Sequence, residues 1–308
     1  MKYLITGGAG FIGVNLIKHI LNNESDAEIV VVDKMLYDTH KDIPLNVTVL
    51  PFDILNFEMM VGSAFEVDVM IHLAANTGVM PSIENPRQDM KTNVEGIVNC
   101  LEACRIQGVK KFIFASSGAA LGDKEPPLHE DMIPKPLSPY GASKMCGENY
   151  CSAYQGTFGI ETIAFRFSNV YGPYSLHKNS LVSKFIKALM NDDKEFTIYG
   201  DGNQTRDFIY VDDLVNALYI SAQSDLSGEV FQMATNKETS IIDIIEMMNH
   251  FSEIYFEKNM NLIYESSRKG EVIRNYADIS KVKDMLEWEP IWGLETGMIR
   301  TFQWFQSL

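Results

Sequence analysis

The sequence predicts an α/β chain: a doubly wound parallel sheet over residues 1–170, then a smaller mixed α/β module over 171–308. Three observations carry that expectation. Short apolar runs alternate with segments of helical periodicity through the first half of the chain. A glycine-rich turn joins the first run to the first helix, and the second run ends in an aspartate. From about Tyr171 onward the alternation weakens and short mixed elements take over.

Tyr3 to Thr6 has the apolar make-up of a buried strand. Gly8, Gly10 and Gly13 follow as G-x-G-x-x-G, and Ile12, Leu16, Ile17 and Ile20 recur at helical spacing. Strand, glycines and helix in that order suit a dinucleotide pyrophosphate. Bare backbone comes close to the phosphates, and the helix start directs its free N–H groups and positive dipole end at them. Ile29-Val-Val-Val-Asp33 is a second strand ending in a carboxylate, about twenty residues beyond Gly13, where a ribose hydroxyl is bound. Together these pieces predict a Rossmann-type unit. Asp33 would repel a 2′-phosphate, so NAD is expected rather than NADP, with the adjacent Lys34 pulling the other way.

Tyr37–Pro44 is polar and reads as a loop, and Val47–Leu50 as a third strand. Asp53, in the connection Pro51-Phe-Asp-Ile-Leu55, either caps the next helix or reaches the adenine end of the cofactor. Val67–Leu73 is a fourth strand, and Ala74-Ala75 after it are small enough to let a ligand approach the backbone. Pro86 to about Arg105 carries one long helical pattern, with Val94, Ile97, Val98, Leu101 and Cys104 on one face. Lys111–Ser116 and Glu161–Arg166 supply the fifth and sixth strands. Later helices are expected at Ser183–Met190, Val211–Ser221 and Ile241–Phe251, a strand at Phe196–Tyr199 and a turn at Gly200–Asn203. Some C-terminal segments are expected to pack back on the first part, and a cleft between the two parts is the expected substrate site.

With 46% hydrophobic and 22% charged residues among 308, the composition is that of an ordinary globular chain. A net charge of −15 argues against nucleic acid and anionic membranes as partners. There is no run of about 18 apolar residues to predict a membrane span. Met1-Lys2 leads straight into the first strand, leaving no room for a signal peptide, so the expected location is the cytoplasm. Cys100, Cys104, Cys146 and Cys151 form no C-x-x-C pair and read as small buried residues in a reducing compartment. No metal site is expected.

Chemistry concentrates at two places. Ser116-Ser117 closes the fifth strand, and Tyr140-Gly-Ala-Ser-Lys144 follows Ser138-Pro139, a plausible helix start. Tyrosine and lysine at i and i+4 share one helical face. A phenol is a poor base at neutral pH, but a neighbouring ammonium favours the phenolate. With a nicotinium ring adding positive charge, Tyr140 is thus expected to accept the proton of a substrate hydroxyl while hydride leaves the same carbon, with Ser117 bonding that oxygen.

Taken together, these motifs resemble the extended short-chain dehydrogenases/reductases, and most of all the NAD-dependent nucleotide-sugar epimerases and dehydratases of the UDP-glucose 4-epimerase type. The resemblance rests on Gly7-Gly-Ala-Gly10-Phe11-Ile12-Gly13, Asp33, Asp53-Ile54, His72-Leu73-Ala74-Ala75, Asn93-Val-Glu-Gly96, Ser116-Ser117 and the Tyr140–Lys144 stretch. It continues through Arg166-Phe-Ser-Asn169-Val-Tyr-Gly-Pro173, Gly200-Asp-Gly202, Arg206 to Asp213 and Arg268-Lys-Gly-Glu271, in family order over nearly the whole chain. It implies that Gly7, Gly10, Phe11, Ile12, Gly13, Asp33, Asp53, Ile54, Leu73, Ala74, Ala75, Asn93, Tyr140 and Lys144 hold NAD. It further implies that Asn169 contacts a nucleotide-sugar, that Arg206 and Arg268 hold its diphosphate and that Glu271 binds its ribose. Thr197 and Tyr199 would pack the base. A homodimer through the helices around Asn93–Arg105 and Lys144–Tyr154 is implied as well.

Departures from the family pattern select a reaction. The 4,6-dehydratases carry Thr-Asp-Glu where this chain has Ser117-Gly118-Ala119, and the UDP-glucuronate decarboxylases carry a glutamate at Ala119. The expected function is therefore a 4-epimerase of UDP-glucose/galactose, oxidising C4 transiently and returning hydride to the other face. Alternatives are a UDP-glucuronate 4-epimerase, for which His177, Lys178 and Arg274 could meet the carboxylate, or a dehydratase or reductase of the same family. Asn275 stands where a tyrosine restricts bulky C2 groups in relatives, so UDP-GlcNAc/GalNAc are expected to fit too.

Overall fold

The computed structural model describes residues 1–34, 41–267 and 272–308. Its centre is a seven-stranded sheet. Strands β1 (Lys2–Thr6), β2 (Glu28–Val32), β3 (Thr48–Leu50), β4 (Val69–His72), β5 (Lys111–Ser117) and β6 (Glu161–Phe167) lie in the spatial order β3-β2-β1-β4-β5-β6. All pairings in this sheet are parallel. The order reverses between β1 and β4, and a crevice beyond the carboxyl ends of these strands is where such sheets take ligands.

Why these segments are strands follows from their two buried faces. Along β1 and β5, Tyr3, Ile5 and Ile113 pack with one set of helices, while Leu4, Phe112 and Phe114 pack with the other. Helix α1 (Phe11–Asn23) covers the first face. Helix α2 (Phe57–Ser63), a helix at Gly96–Gln107 and the long helix Pro139–Phe158 cover the second. With apolar residues required on both sides, the strands read as continuous apolar runs.

Two differences from the sequence expectation bear on the site. The helix expected from Pro86 to Arg105 is three consecutive pieces: Pro86–Met90, a π-helical turn at Lys91–Glu95, and Gly96–Gln107. Such turns insert a residue and re-aim a side chain, here Asn93. Glu229–Met233, from the second part of the chain, pairs parallel with β6 and forms the sheet's seventh strand. Its polar Glu229 and Gln232 hide it from an apolar-run criterion. Beside the sheet, Asn169–Tyr171 pairs with Phe208–Tyr210, Thr205–Arg206 with Thr239–Ser240, and Glu195–Tyr199 with Asn261–Glu265.

One buried ion pair fastens the ends of β5 and β6 to the long helix. Arg166 donates to both Glu148 oxygens, at 2.9 and 2.8 Å, and Ser116 donates to the same carboxylate. All three residues are buried. Removing one partner strands the other charge out of water, a loss of about 3–5 kcal/mol. Arg166→Met is accordingly expected to lower stability by about that amount, read as a drop in the urea midpoint, whereas an exposed pair such as Lys283–Glu289 should cost below about 1 kcal/mol on breaking.

Candidate active site

The glycine turn is built by contacts that exclude side chains. Gly7 has φ +70°, and a Cβ there would sit 2.7 Å from the Ala74 nitrogen. The turn therefore lies directly on the backbone that follows β4. A Cβ on Gly13 would come within 2.5 Å of the Gly8 Cα, so that glycine lets α1 pack closely on the turn. Gly10 begins α1 with no side-chain cap, leaving the first-turn N–H groups of Phe11, Ile12 and Gly13 aimed beyond the sheet.

Next to the turn, Asp33 is buried and accepts from the Ala9 N–H at 3.1 Å. Asp53 does not cap the following helix; Asn56 does, accepting from Met59 N at 3.2 Å. Asp53 instead accepts from Leu55 N at 3.0 Å and pairs with Lys34 at 3.0 Å. The lysine that weakened the choice of NAD thus answers to a carboxylate of the chain itself. Ile54 is turned into the core, where it packs against Gly96. Leu73, Ala74 and Ala75 are half-buried at the end of β4.

Asn93 is held by the chain through both ends of its amide. Its Oδ1 accepts from Asn76 N at 2.7 Å, and its Nδ2 donates to Asn76 O, Asp89 Oδ1 and Ser143 Oγ at 3.0, 3.0 and 3.1 Å. The side chain clamps the loop after β4 to the long helix rather than pointing outward. The π-helical turn is what places it there.

Ser117, Tyr140 and Lys144 come together. Ser138 caps the long helix, accepting from Gly141 N at 3.1 Å, with Pro139 in its first turn. One turn later, Lys144 is 3% exposed and donates to the Ala115 carbonyl at 2.7 Å. Its Nζ lies 5.8 Å from the centroid of the Tyr140 ring and 5.0 Å from that of Phe114. Ser117 accepts from Ala119 N at 3.2 Å, starting a tight turn over Gly118–Ala120. Burial pulls Lys144 down to about 7, opposed by the charges of Asp89 and Glu148 and assisted by Lys178. Burial likewise pushes Tyr140 up to about 12, with a hydrogen bond to Ser117 pulling the other way. Burial is the largest influence on both groups.

The residues expected to meet a nucleotide are more scattered. Asn169 donates to Asp207 O at 3.1 Å while remaining exposed. Arg206 donates to the carbonyls of Thr205 and Val272, at 2.7 and 2.9 Å. Thr197 and Tyr199 project from one face of their strand, with Ile198 buried on the other. Asn275 is half-buried, and Arg268 and Glu271 lie outside the described residues. Arg274 is engaged by Glu238 at 2.8 and 2.9 Å and by Glu125 at 3.0 Å, so it does not face an incoming carboxylate. Lys178 donates to Thr77 Oγ1 at 3.1 Å, and burial lowers its affinity for a proton. Among the described residues no three His, Cys, Asp or Glu gather as a metal site. Nor is any described helix long and apolar enough to cross a membrane.

Residues 3–234 match the model of the NAD dependent epimerase/dehydratase family. The chain belongs to that family. It is 36% identical over 310 residues to a putative UDP-glucose 4-epimerase of Methanocaldococcus jannaschii, covering 99% of this chain and 98% of the relative. The structure of UDP-glucose 4-epimerase from Thermotoga maritima with UDP-glucose is similar at a TM-score of 0.92 and 32% identity, covering 100% of this chain and 99% of that one. UDP-glucuronic acid 4-epimerase from Bacillus cereus, in complex with UDP-glucuronic acid and NAD, gives 0.90 and 32% with the same coverage. This chain is an NAD-dependent enzyme, and the bare glycine turn, the uncapped helix start and buried Asp33 fit that cofactor.

The buried lysine carries a pH signature in stability. At pH below about 7 both folded and unfolded chains hold the Lys144 proton and the burial penalty is fully present; from there to 10.5 the unfolded chain binds more protons, so stability climbs with pH. Lys144→Met removes the penalty. It is expected to abolish the climb of the urea midpoint between about pH 7 and 10.5, whatever the loss of the Ala115 bond and of the charge facing Asp89 does to the midpoint itself; an unchanged climb in the variant would assign it to another group.

Proposed function

We propose that the protein is a nucleotide-sugar 4-epimerase acting on UDP-glucose/galactose and, through the modest size of Asn275, on UDP-GlcNAc/GalNAc. The observation that carries this reading is the convergence of Ser117, Tyr140 and Lys144 beside the glycine turn, with only Gly118 and Ala119 in the adjoining turn. No carboxylate stands there to remove a proton from C5 or assist loss of a C6 group, which disfavours the dehydratase and decarboxylase chemistries.

Bound NAD would accept hydride from C4, return it, and bring positive charge to the site. Gly7, Gly10, Phe11, Ile12 and Gly13 would hold its pyrophosphate, Asp33 a ribose, Asp53 the adenine end, and Leu73, Ala74 and Ala75 the wall behind it. Tyr140 takes the proton of the C4 hydroxyl at its phenolic oxygen and later gives it back. Ser117 hydrogen-bonds the same sugar oxygen. Lys144, anchored on the Ala115 carbonyl, supplies positive charge beneath the phenol. Asn169, Arg206 and Arg268 hold the diphosphate end, with Thr197, Tyr199 and Glu271 at the nucleoside, so the sugar itself is free to turn over between the two hydride transfers.

A second reading has its own observation. Lys178 lies close enough to Lys144 to lower its proton affinity, and a cation there fits a C6 carboxylate. UDP-glucuronate is the substrate of that reading. A homodimer is supported by apolar residues left exposed on the helices that pair in relatives, among them Ile106, Tyr150 and Phe158. A cytoplasmic location suits the four free cysteines.

Incubation with UDP-glucose, UDP-GlcNAc and UDP-glucuronate without added cofactor, read by proton NMR at C4, distinguishes the substrates; loss of configuration in none of them would sink the proposal. Tyr140→Phe is expected to keep NAD bound and lose about 10²–10⁴-fold in turnover. Asn275→Tyr should suppress the N-acetylated pair while sparing UDP-glucose, and Lys178→Met should impair UDP-glucuronate alone if the second reading holds.

A further inference from the structure

A carboxylate with no part in the chemistry above lies beneath the Tyr140–Lys144 pair. Asp89 is 1% exposed at the start of the helix that carries Asn93. Its Oδ1 accepts from Asn93 Nδ2 at 3.0 Å, and the same amide donates to Ser143 Oγ at 3.1 Å, one residue from Lys144. Its Oδ2 is buried with no hydrogen-bond partner among the described residues. Leaving a carboxylate oxygen dry and unbonded is unfavourable unless a nearby charge compensates it.

We infer that Asp89 is the buried counter-charge of Lys144, a positioning residue whose carboxylate, held in place by Asn93, keeps the lysine charged under Tyr140. This rests on the catalytic reading of Tyr140 and Lys144 given above. The charges around Lys144 come from several elements. Tyr140 and Glu148 share its helix, Asp89 faces it from the neighbouring one, Lys178 from the segment after Asn169–Tyr171, and His72 from β4. His72 is buried and held neutral, with a value of about 3. Lys178 opposes the proton on Lys144, and Glu148 is already committed to Arg166 through both oxygens. Asp89 is the acidic group with an uncommitted oxygen. Burial pushes the Asp89 carboxyl above its ordinary range, and the Ser143 hydroxyl and the Lys144 charge pull it back toward the ionised form.

Asp89→Asn keeps the oxygen that Asn93 donates to and removes the charge. In protein labelled with ¹³C,¹⁵N-lysine, the Lys144 resonance, assigned by its loss in Lys144→Met, is expected to titrate about one pH unit lower in Asp89→Asn. The alkaline limb of kcat should move down equally, so the loss against wild type grows up to about tenfold across that limb while KM stays level. Asp89→Glu, which keeps the charge, should retain a wild-type Lys144 titration. An unmoved Lys144 resonance in Asp89→Asn, or equal shifts in the Asn and Glu variants, overturns the inference. If Lys144 shifts while kcat falls by one factor at every pH, the counter-charge stands and the catalytic use of Lys144 fails.

Discussion

The bond from Lys144 to the Ala115 carbonyl is the contact on which the site depends. It ties the long helix to the end of β5, and that one attachment fixes Tyr140 a turn earlier and Ser117 two residues beyond the carbonyl. A lysine pulled from water this completely prefers to lose its proton. The fold answers with acidic neighbours rather than with solvent. Glu148 sits one helical turn on and Asp89 on the adjoining helix, while Arg166 absorbs most of what Glu148 offers. Anchoring and charge are therefore separate duties, the first met by a backbone carbonyl and the second by side chains on different elements.

A second constraint is the contrast between the chain and its cleft. The whole molecule carries −15, yet two lysines, Lys144 and Lys178, lie close enough for each charge to be felt at the other. Overall negative charge slows the approach of an anionic ligand, whereas local cations and an uncapped helix start hold one once it arrives. Such a distribution suits a small phosphorylated molecule bound in a crevice better than an extended polyanion.

What the sequence made legible was local. The glycine turn, Asp33 and the Tyr140–Lys144 pair are each encoded within a few residues and meet their expected neighbours through one strand or one helical turn. Groupings that depend on register between distant segments were not legible. Asp89 enters the site only because a π-helical turn and the packing of two helices bring it under Lys144; its one sequence trace is an acid four residues before Asn93. Arg274 has the residue type for a carboxylate ligand, but Glu238 and Glu125 claim it from other parts of the chain. Asp53 looked like a helix cap because it precedes an apolar segment, and Asn56 took that place by lying nearer the first helical N–H. The seventh strand escaped because a sheet's edge tolerates polar residues that its centre does not.

The small residues that follow Ser117, Gly118 and Ala119, then become informative. Elimination or decarboxylation needs an acid or base aimed at C5 or C6, whereas reversible oxidation at C4 needs only one proton acceptor and room for the oxidised sugar to turn. Gly118 and Ala119 supply room. Their turn is held by backbone and the Ser117 hydroxyl, so its shape does not depend on a reactive side chain. Gly141 packs directly on this turn, since a Cβ on Gly141 would lie 2.3 Å from the Ala119 carbonyl, whereas a Cβ on Gly118 would meet only the Phe167 carbonyl at 3.8 Å. The close packing of the turn on the helix that bears Tyr140 thus holds Ser117 and the phenol in one place, and positions 118 and 119 add neither acid nor base to them.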